Sequence, residues 1–328
     1  MKDKTSSGER RGTRTLIATA AAATALVATA CSSTTADPAP AEAERPRVGI
    51  VLGGGGETGI AWQTGVLAAL GNQAQLTPDV VDVVVGTSAG ALAGSYFSAG
   101  LDLNQLVEKE RSGDVKTAPV AAGGGMSAIP TEIIAALGST EGTIEERGRA
   151  VGTLAMKAPV PISSADFVAY VGTMLPGADW PELDFRPTSV TAETGKTVLW
   201  KRTDGVPLAA AVASSAAVPG FLPTVEINGQ HYTDAPRTSF AADLVAEKDL
   251  DAIIYIGMPT PNLSNTVEEE ALNKLEAGGL QVIRITGGPD APELIREALD
   301  PKIRPRAVEI GLRDGAAAAA SVAKILHR

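Results

Sequence analysis

The pentapeptide Gly86-Thr87-Ser88-Ala89-Gly90 is where residue types and spacing first suggest chemistry. A serine flanked by glycines two positions away on either side suits a sharp strand-to-helix turn that pushes the hydroxyl out of a sheet. Such a turn crowds its neighbours, so those two flanking positions must lack side chains. The amides at the start of the following helix then favour negative charge beside Ser88. The context agrees, with an apolar run before the motif, Val80–Val85, and a helical pattern after it, Ala89–Ala99. Ser88 is therefore the candidate nucleophile. The competing reading is a tight turn whose serine only caps the helix.

A second glycine cluster, Gly53-Gly54-Gly55-Gly56-Glu57-Thr58-Gly59, follows the apolar run Arg47–Leu52. Bare amides at the start of a helix can hold an anion or a developing oxyanion. Gly54, Gly56 and Gly59 also satisfy the dinucleotide fingerprint G-x-G-x-x-G, which calls for an acidic residue at the end of the next strand. That strand ends instead in the serine turn, and the Gly-Lys-Ser/Thr of a phosphate loop is absent. The oxyanion reading is preferred, because one loop supplies what the neighbouring serine lacks. A base is still required, and histidine is the usual choice. The chain has only His231 and His327, the first in a hairpin-like segment and the second next to the terminus. A Ser-His-Asp triad is hard to build from these, and a carboxylate is the better candidate.

The elements that must position these residues follow a strand, turn, helix repeat. Arg47–Leu52 and Val80–Val85 read as buried parallel strands, and Gly59–Leu70 and Ala89–Ala99 as helices on the sheet's faces. Strands return at Thr188–Ala192, Val198–Lys201, Ile253–Gly257 and Gln281–Ile285. Further helices are expected at Leu208–Ala217, Phe240–Lys248, Val267–Ala277 and Ala307–Leu326. Residues 101–185 break into helix-like pieces separated by Gly and Pro, an irregular helical insertion over one end of the sheet. The fold class is α/β, a three-layer α/β/α arrangement with a mostly parallel central sheet.

The chain has 328 residues, 44% of them hydrophobic, and can bury a sizeable core. Aromatics are only 4% and the net charge is −10, so neither base stacking nor attraction to phosphate backbones is supported, and nucleic acid is discounted. The N-terminus reads as an address. Lys2, Lys4, Arg10, Arg11 and Arg14 precede an uncharged stretch from Leu16 to Ala30. That length fits the apolar region of a secretory signal and falls short of the roughly 20 residues of a membrane span. Val27-Ala28-Thr29-Ala30-Cys31 resembles a bacterial lipobox, so residues 1–30 are expected to be a signal peptide and Cys31 to carry a lipid. Residues 31–46 read as the lipidated cysteine and a Pro-rich flexible tether, and residues 47–328 as the folded body. This arrangement predicts an exported protein held by its lipid on the extracytoplasmic face of the cell membrane. Cys31 is the only cysteine, which excludes an intrachain disulfide and a cysteine-based zinc cluster.

Three blocks taken together resemble the patatin-like phospholipases, in particular their bacterial, actinobacterial-type branch. They are LGGGGETGIAWQTGVLAAL from Leu52, VVGTSAGALAG around Ser88, and VPLAAAVASSAAVPGFLPTVEINGQHYTDAP from Val206 to Pro236. The resemblance covers Arg47 to about Ile256, with the 101–185 region matching poorly. It implies a Ser–Asp dyad of Ser88 and Asp234, an oxyanion hole formed by the amides of Gly54, Gly55 and Gly56, and no metal or organic cofactor. It also implies a lipid or fatty-ester substrate. Two departures stand out. Thr58 replaces a residue that is usually Lys or Arg, and Asp234-Ala235-Pro236 replaces a glycine-containing turn, with Arg237 at a basic position common in the bacterial branch. If that turn needs positive φ, Ala235 strains it and Asp234 moves away from Ser88. The leading expectation is a lipid-anchored serine acyl hydrolase. The alternative, motivated by the altered turn, is a surface lipoprotein that keeps the fold as a lipid- or partner-binding module with little turnover. A nucleotide-binding enzyme is a distant third.

Overall fold

Apolar runs that end at glycines build the centre of the molecule. The computed structural model describes residues 45–117, 129–259 and 265–327. They fall within one compact unit, Glu44–Arg328. The expected signal peptide, Cys31 and most of the tether lie outside the described residues.

Eight strands form one sheet: β1 (Val48–Leu52), β2 (Val83–Gly86), β3 (Phe185–Thr191), β4 (Thr197–Leu199), β5 (Val225–Ile227), β6 (Gln230–Thr233), β7 (Ala252–Ile256) and β8 (Gln281–Ile285). Their order is β5-β6-β3-β2-β1-β7-β8, with β4 paired to β3. The β3-β2-β1-β7-β8 part is parallel, and the β4, β5 and β6 pairings are antiparallel. Parallel strands are buried on both faces, and here alternate residues serve the two layers. Val48, Ile50 and Leu52 of β1 join a core with α1 (Gly56–Ala74), α2 (Ala89–Ser98) and α11 (Arg304–Leu326). Val51, with Val83 and Val85 of β2, faces α8 (Ala241–Lys248) and α9 (Asn265–Ala277) instead. This is the expected three-layer α/β/α class. On the first face, α1 and α11 cross so closely that a Cβ on Gly311 would lie 2.0 Å from the Trp62 carbonyl.

Register brings the strand ends level. Leu52 stands opposite Gly86 on one side and Ile256 on the other, so the loops after β1, β2 and β7 leave the sheet together. Chain connections run from β1 to β2 and from β7 to β8, in opposite directions, which opens a crevice at the carboxyl ends of β1 and β7.

Between α2 and β3 lie α3 (Leu103–Ser112), α4 (Thr131–Leu137), α5 (Ile144–Ala155) and α6 (Ser164–Gly172). The expected insertion is thus helical in its described residues. Capping explains two of its starts: Thr143 and Glu146 form a capping box on α5, and the Ser163 hydroxyl accepts from the Asp166 amide on α6. Two expected strands shift their starts by three residues. Val80 closes a 3-10 turn, Pro78–Val80, and β2 starts only at Val83, because the Asp82 carboxylate is held by the Val48 amide (2.7 Å) and by Arg45. β3 begins three residues before its expected start, at Phe185. Its Arg186 is buried with its charge matched, because Asp184 and Glu247 both accept from the guanidinium. A short helix, α10 (Ala291–Arg296), has no counterpart in the sequence reading.

Candidate active site

Ser88 sits where β2 becomes α2, with φ 54° and ψ −118°, a conformation that costs any L-residue roughly 1–3 kcal/mol. The flanking glycines are sterically required. A Cβ on Gly86 would lie 2.3 Å from the Gly90 carbonyl, and one on Gly90 would lie 2.5 Å from that of Leu52. Ser88 occupies the cap position of α2 but its side chain makes no capping hydrogen bond, which removes the helix-cap reading. Its hydroxyl lies near enough to the Asp234 carboxyl to favour the charged form, and its amide donates to the Ser215 Oγ at 2.9 Å.

Asp234 follows directly after β6. Its amide donates to the Ala217 carbonyl (3.0 Å), as does the Thr233 hydroxyl (2.8 Å). The β5–β6 hairpin is thereby clasped to the segment after α7 (Leu208–Ser215). The hairpin itself closes through Asn228 and Gly229, both at positive φ, as a type I′ connection requires. The expected strain in the next turn does not arise: Ala235 is not among the positive-φ residues and is buried against Val151 and Val190. Asp234 keeps part of its surface open to the cleft. Burial pushes its carboxyl above the ordinary range, opposed by the Ser88 hydrogen bond and by the Arg237 guanidinium.

The loop after β1 is fixed at its first carbonyl. The Gly53 oxygen accepts from Gln63 Nε2 (2.7 Å) and from the Gly90 amide (3.1 Å), while the Gly53 amide donates to Ile256 (2.9 Å). Gly55 and Gly56 have φ of 154° and 58°, and a Cβ on Gly56 would lie 2.3 Å from the Ala298 carbonyl. Among the described residues the amides of Gly54 and Gly55 find no acceptor within the chain. A Cβ on Gly54 would lie 3.5 Å from that of Ser88, so these donors adjoin the hydroxyl. Thr58 brings no charge; its hydroxyl donates to the carbonyls of Gly55 (3.0 Å) and Leu294 (2.9 Å).

Two cavities meet at Ser88. One is lined by Ile60, Leu92, Phe167, Val171, Met174 and Phe221 and is almost wholly apolar, with α6 of the insertion as one wall. The other contains Gly54, Gly55, Gly56, Asp234 and Arg237. Phe167 and Met174 therefore line the site, whereas Trp62 and Phe97 are core; Met126 lies outside the described residues. Thr87 is tied to Thr188 (2.7 Å) and Ser214 to Trp200 (3.0 Å), so neither acts on Ser88. His231 pairs with Glu193 on the hairpin and His327 ends α11, so neither histidine partners the serine. Among the described residues no His/Cys/Asp/Glu cluster is suited to a metal.

The sequence reading missed an ion cluster behind the loop. Arg304, at the start of α11, is buried between Glu57 of α1 and Glu110 of α3, with 2.8 Å from Nε to Glu110. The partners are far apart in sequence, and no local pattern announces them.

Solved structures with a related course include VipD from Legionella pneumophila (13% identity, TM-score 0.41, 87% of this chain and 68% of that one). They also include the type III effector ExoU of Pseudomonas aeruginosa (17%, 0.35, 82% and 53%). A third is human group IVD cytosolic phospholipase A2 bound to methyl gamma-linolenyl fluorophosphonate (12%, 0.47, 86% and 58%). The chain spans about half to two thirds of the length of these proteins. The patatin-like phospholipase family model matches residues 50–236, more than half of the chain, and this protein therefore belongs to the patatin-like phospholipase family.

Proposed function

We propose that the protein is a lipid acyl hydrolase in which Ser88 and Asp234 act as a catalytic dyad and the Gly54, Gly55 and Gly56 amides form the oxyanion hole. Family membership supports hydrolysis of lipids. The single observation that carries the dyad is Ser88, held at φ 54° and uncapped at the strand-to-helix turn, sharing a cleft with the Asp234 carboxyl, which burial pushes above the ordinary range.

Asp234 takes the proton of the Ser88 hydroxyl as Oγ attacks the ester carbonyl. The carbonyl oxygen becomes an oxyanion facing the glycine amides, whose donors are already oriented. The tetrahedral adduct then collapses, the carbon–oxygen bond to the alcohol breaks, and the leaving alkoxide recovers the proton from Asp234. A water attacks the acyl-enzyme with Asp234 again as base. The second collapse returns the proton to Ser88 and releases the fatty acid. None of these steps calls on a metal or organic cofactor.

Hydrolysis of p-nitrophenyl esters by the full chain tests this reading, with Ser88→Ala and Asp234→Asn as comparisons. Each variant is expected to lose at least about a hundredfold, roughly 2.7 kcal/mol. Equal turnover by either folded variant would remove that residue from the mechanism. The binding-module alternative drew on a strained Asp234-Ala235-Pro236 turn, and without that strain no feature of the site favours it.

The same proposal includes export and attachment through Cys31 to the extracytoplasmic face of the cell membrane. It rests on the basic and apolar N-terminal segments and the lipobox-like residues before Cys31. No helix among the described residues is long and apolar enough to cross a membrane. Incorporation of labelled palmitate that survives in Cys31→Ser would refute the anchor.

A further inference from the structure

The two cavities that meet at Ser88 differ in charge, and the difference turns on one side chain. Arg237 is only 8% exposed, yet it lines the cleft that holds Ser88, Asp234 and the glycine amides. Among the described residues it is the only cation lining either cavity, and its guanidinium has no hydrogen bond or ion pair. A guanidinium carries five donors in a planar fork, and those of Arg237 open on the cleft rather than on acceptors of the chain. Ion pairs elsewhere in the chain show the contrast: the buried Arg186 and Arg304 are each held by two carboxylates.

Every charged or titratable group facing Arg237 leaves it unmatched. Asp234, on its own loop, is engaged by Ser88, and Glu268 of α9, 5% exposed, accepts from the Ser239 hydroxyl at 3.0 Å. Tyr255 of β7 lies within the field of Arg237, as Glu268 does. Burial pushes both carboxyls toward their neutral forms, which weakens them as counter-charges.

We infer that Arg237 is a specificity-determining residue that receives an oxyanion on the alcohol half of the substrate, while the acyl chain occupies the apolar cavity walled by α6. The inference rests on the acyl hydrolase reading for the orientation of the ester. A planar fork favours phosphate or carboxylate through paired hydrogen bonds. The acyl chain is excluded from the Arg237 side because it would leave the guanidinium buried against hydrocarbon. The leaving alcohol is the half that remains.

The test compares two esters that differ only in the phosphate group, octanoyl glycerol 3-phosphate and monooctanoyl glycerol, hydrolysed by the full chain. The wild type is expected to favour the phosphate ester in kcat/KM. Arg237→Gln is expected to cut the ratio of the two constants at least about tenfold, mainly through KM, and Arg237→Lys to retain part of it. An unchanged ratio in Arg237→Gln would overturn the inference. Far-UV circular dichroism reports whether each variant is folded, and the ratio cancels any change in Asp234 that both esters share.

A binding arm in Ser88→Ala separates this inference from the proposed chemistry. Octyl phosphate is expected to bind more tightly than octanol, and Ser88→Ala/Arg237→Gln to lose that advantage. Inorganic phosphate binding as tightly as octyl phosphate, in an Arg237-dependent way, would mark a site for free anion and overturn the substrate assignment. If neither ester is hydrolysed, the acyl hydrolase reading fails, and an octyl phosphate advantage that survives loss of Arg237 then overturns the assignment to this residue.

Discussion

Replacing Ser88 by glycine and by alanine gives two variants whose stabilities should differ through the backbone alone. Both lose the hydroxyl, so its interaction with Asp234 cancels in the comparison. What remains is the backbone. Ser88 is held at φ 54°, ψ −118°, a conformation that costs an L-residue roughly 1–3 kcal/mol and costs glycine little. Glycine also makes the unfolded chain more flexible, which subtracts about 0.4–1 kcal/mol. Ser88→Gly should therefore be more stable than Ser88→Ala by about 1–2 kcal/mol. Glycine already exceeds alanine at an ordinary helix cap, by up to about 1 kcal/mol, so a difference beyond that is the part that reports the strained backbone. Urea unfolding of the full chain, followed by far-UV circular dichroism, reads the difference as a shift in midpoint at constant slope. In a thermal scan each kcal/mol corresponds to roughly 2–4 °C at this size. A Ser88→Ala variant as stable as Ser88→Gly, or more so, would mean that the elbow stores no strain, and the steric argument for the motif would fail.

The ion cluster behind the glycine loop predicts a large loss. Arg304→Met leaves Glu57 and Glu110 buried without their shared cation, and should cost about 3–5 kcal/mol in urea unfolding; a change below 1 kcal/mol would show that the cluster does not hold α1, α3 and α11 together. The raised Asp234 carboxyl predicts an acid limb in kcat/KM above the ordinary carboxylate range, because only the ionised form can take the Ser88 proton. Loss of the opposing Arg237 charge should move that limb to higher pH, and a limb at the ordinary carboxylate value would refute the assignment of Asp234 as base. Linkage gives the same shift a sign in stability. A carboxyl whose folded-state pKa is raised contributes stability below its unfolded pKa and loses it as pH rises through the folded value.

What the sequence disclosed about the site was local, and what it withheld was distant. The serine elbow was legible because its requirement, no Cβ at Gly86 or Gly90, is met within five residues of chain. Strand β8 was legible to the residue because its apolar run is bounded by turn signals and pairs simply with β7. Strand β3 began earlier than expected because Arg186-Pro187 looks unlike a buried strand until Glu247, from α8, reaches the guanidinium. Asp234 could be named only through the resemblance, since the clasp that aims it runs through Ala217 and no sequence period records that contact. The strain expected at Ala235 did not arise, because the turn runs through negative φ and buries the Ala235 methyl against Val151 and Val190.

In the proposed dyad an aspartate would serve where a histidine is more usual, and the electrostatics of the cleft favour it. A carboxylate in water is too weak a base for a serine, and burial raises its proton affinity toward the useful range. Burial without opposition would favour the protonated form further. The Ser88 hydroxyl and the Arg237 guanidinium both favour the charged form, so the carboxyl is poised between the two tendencies. Arg237 thus stands in two relations at once, tuning the base three residues before it and presenting free donors to the cleft. An anion bound to that guanidinium would weaken its pull on Asp234 and make the base stronger. Substrate charge would then appear in the rate of acylation as well as in binding, which is a reason for the acid limb of kcat to differ between the phosphate and the neutral ester.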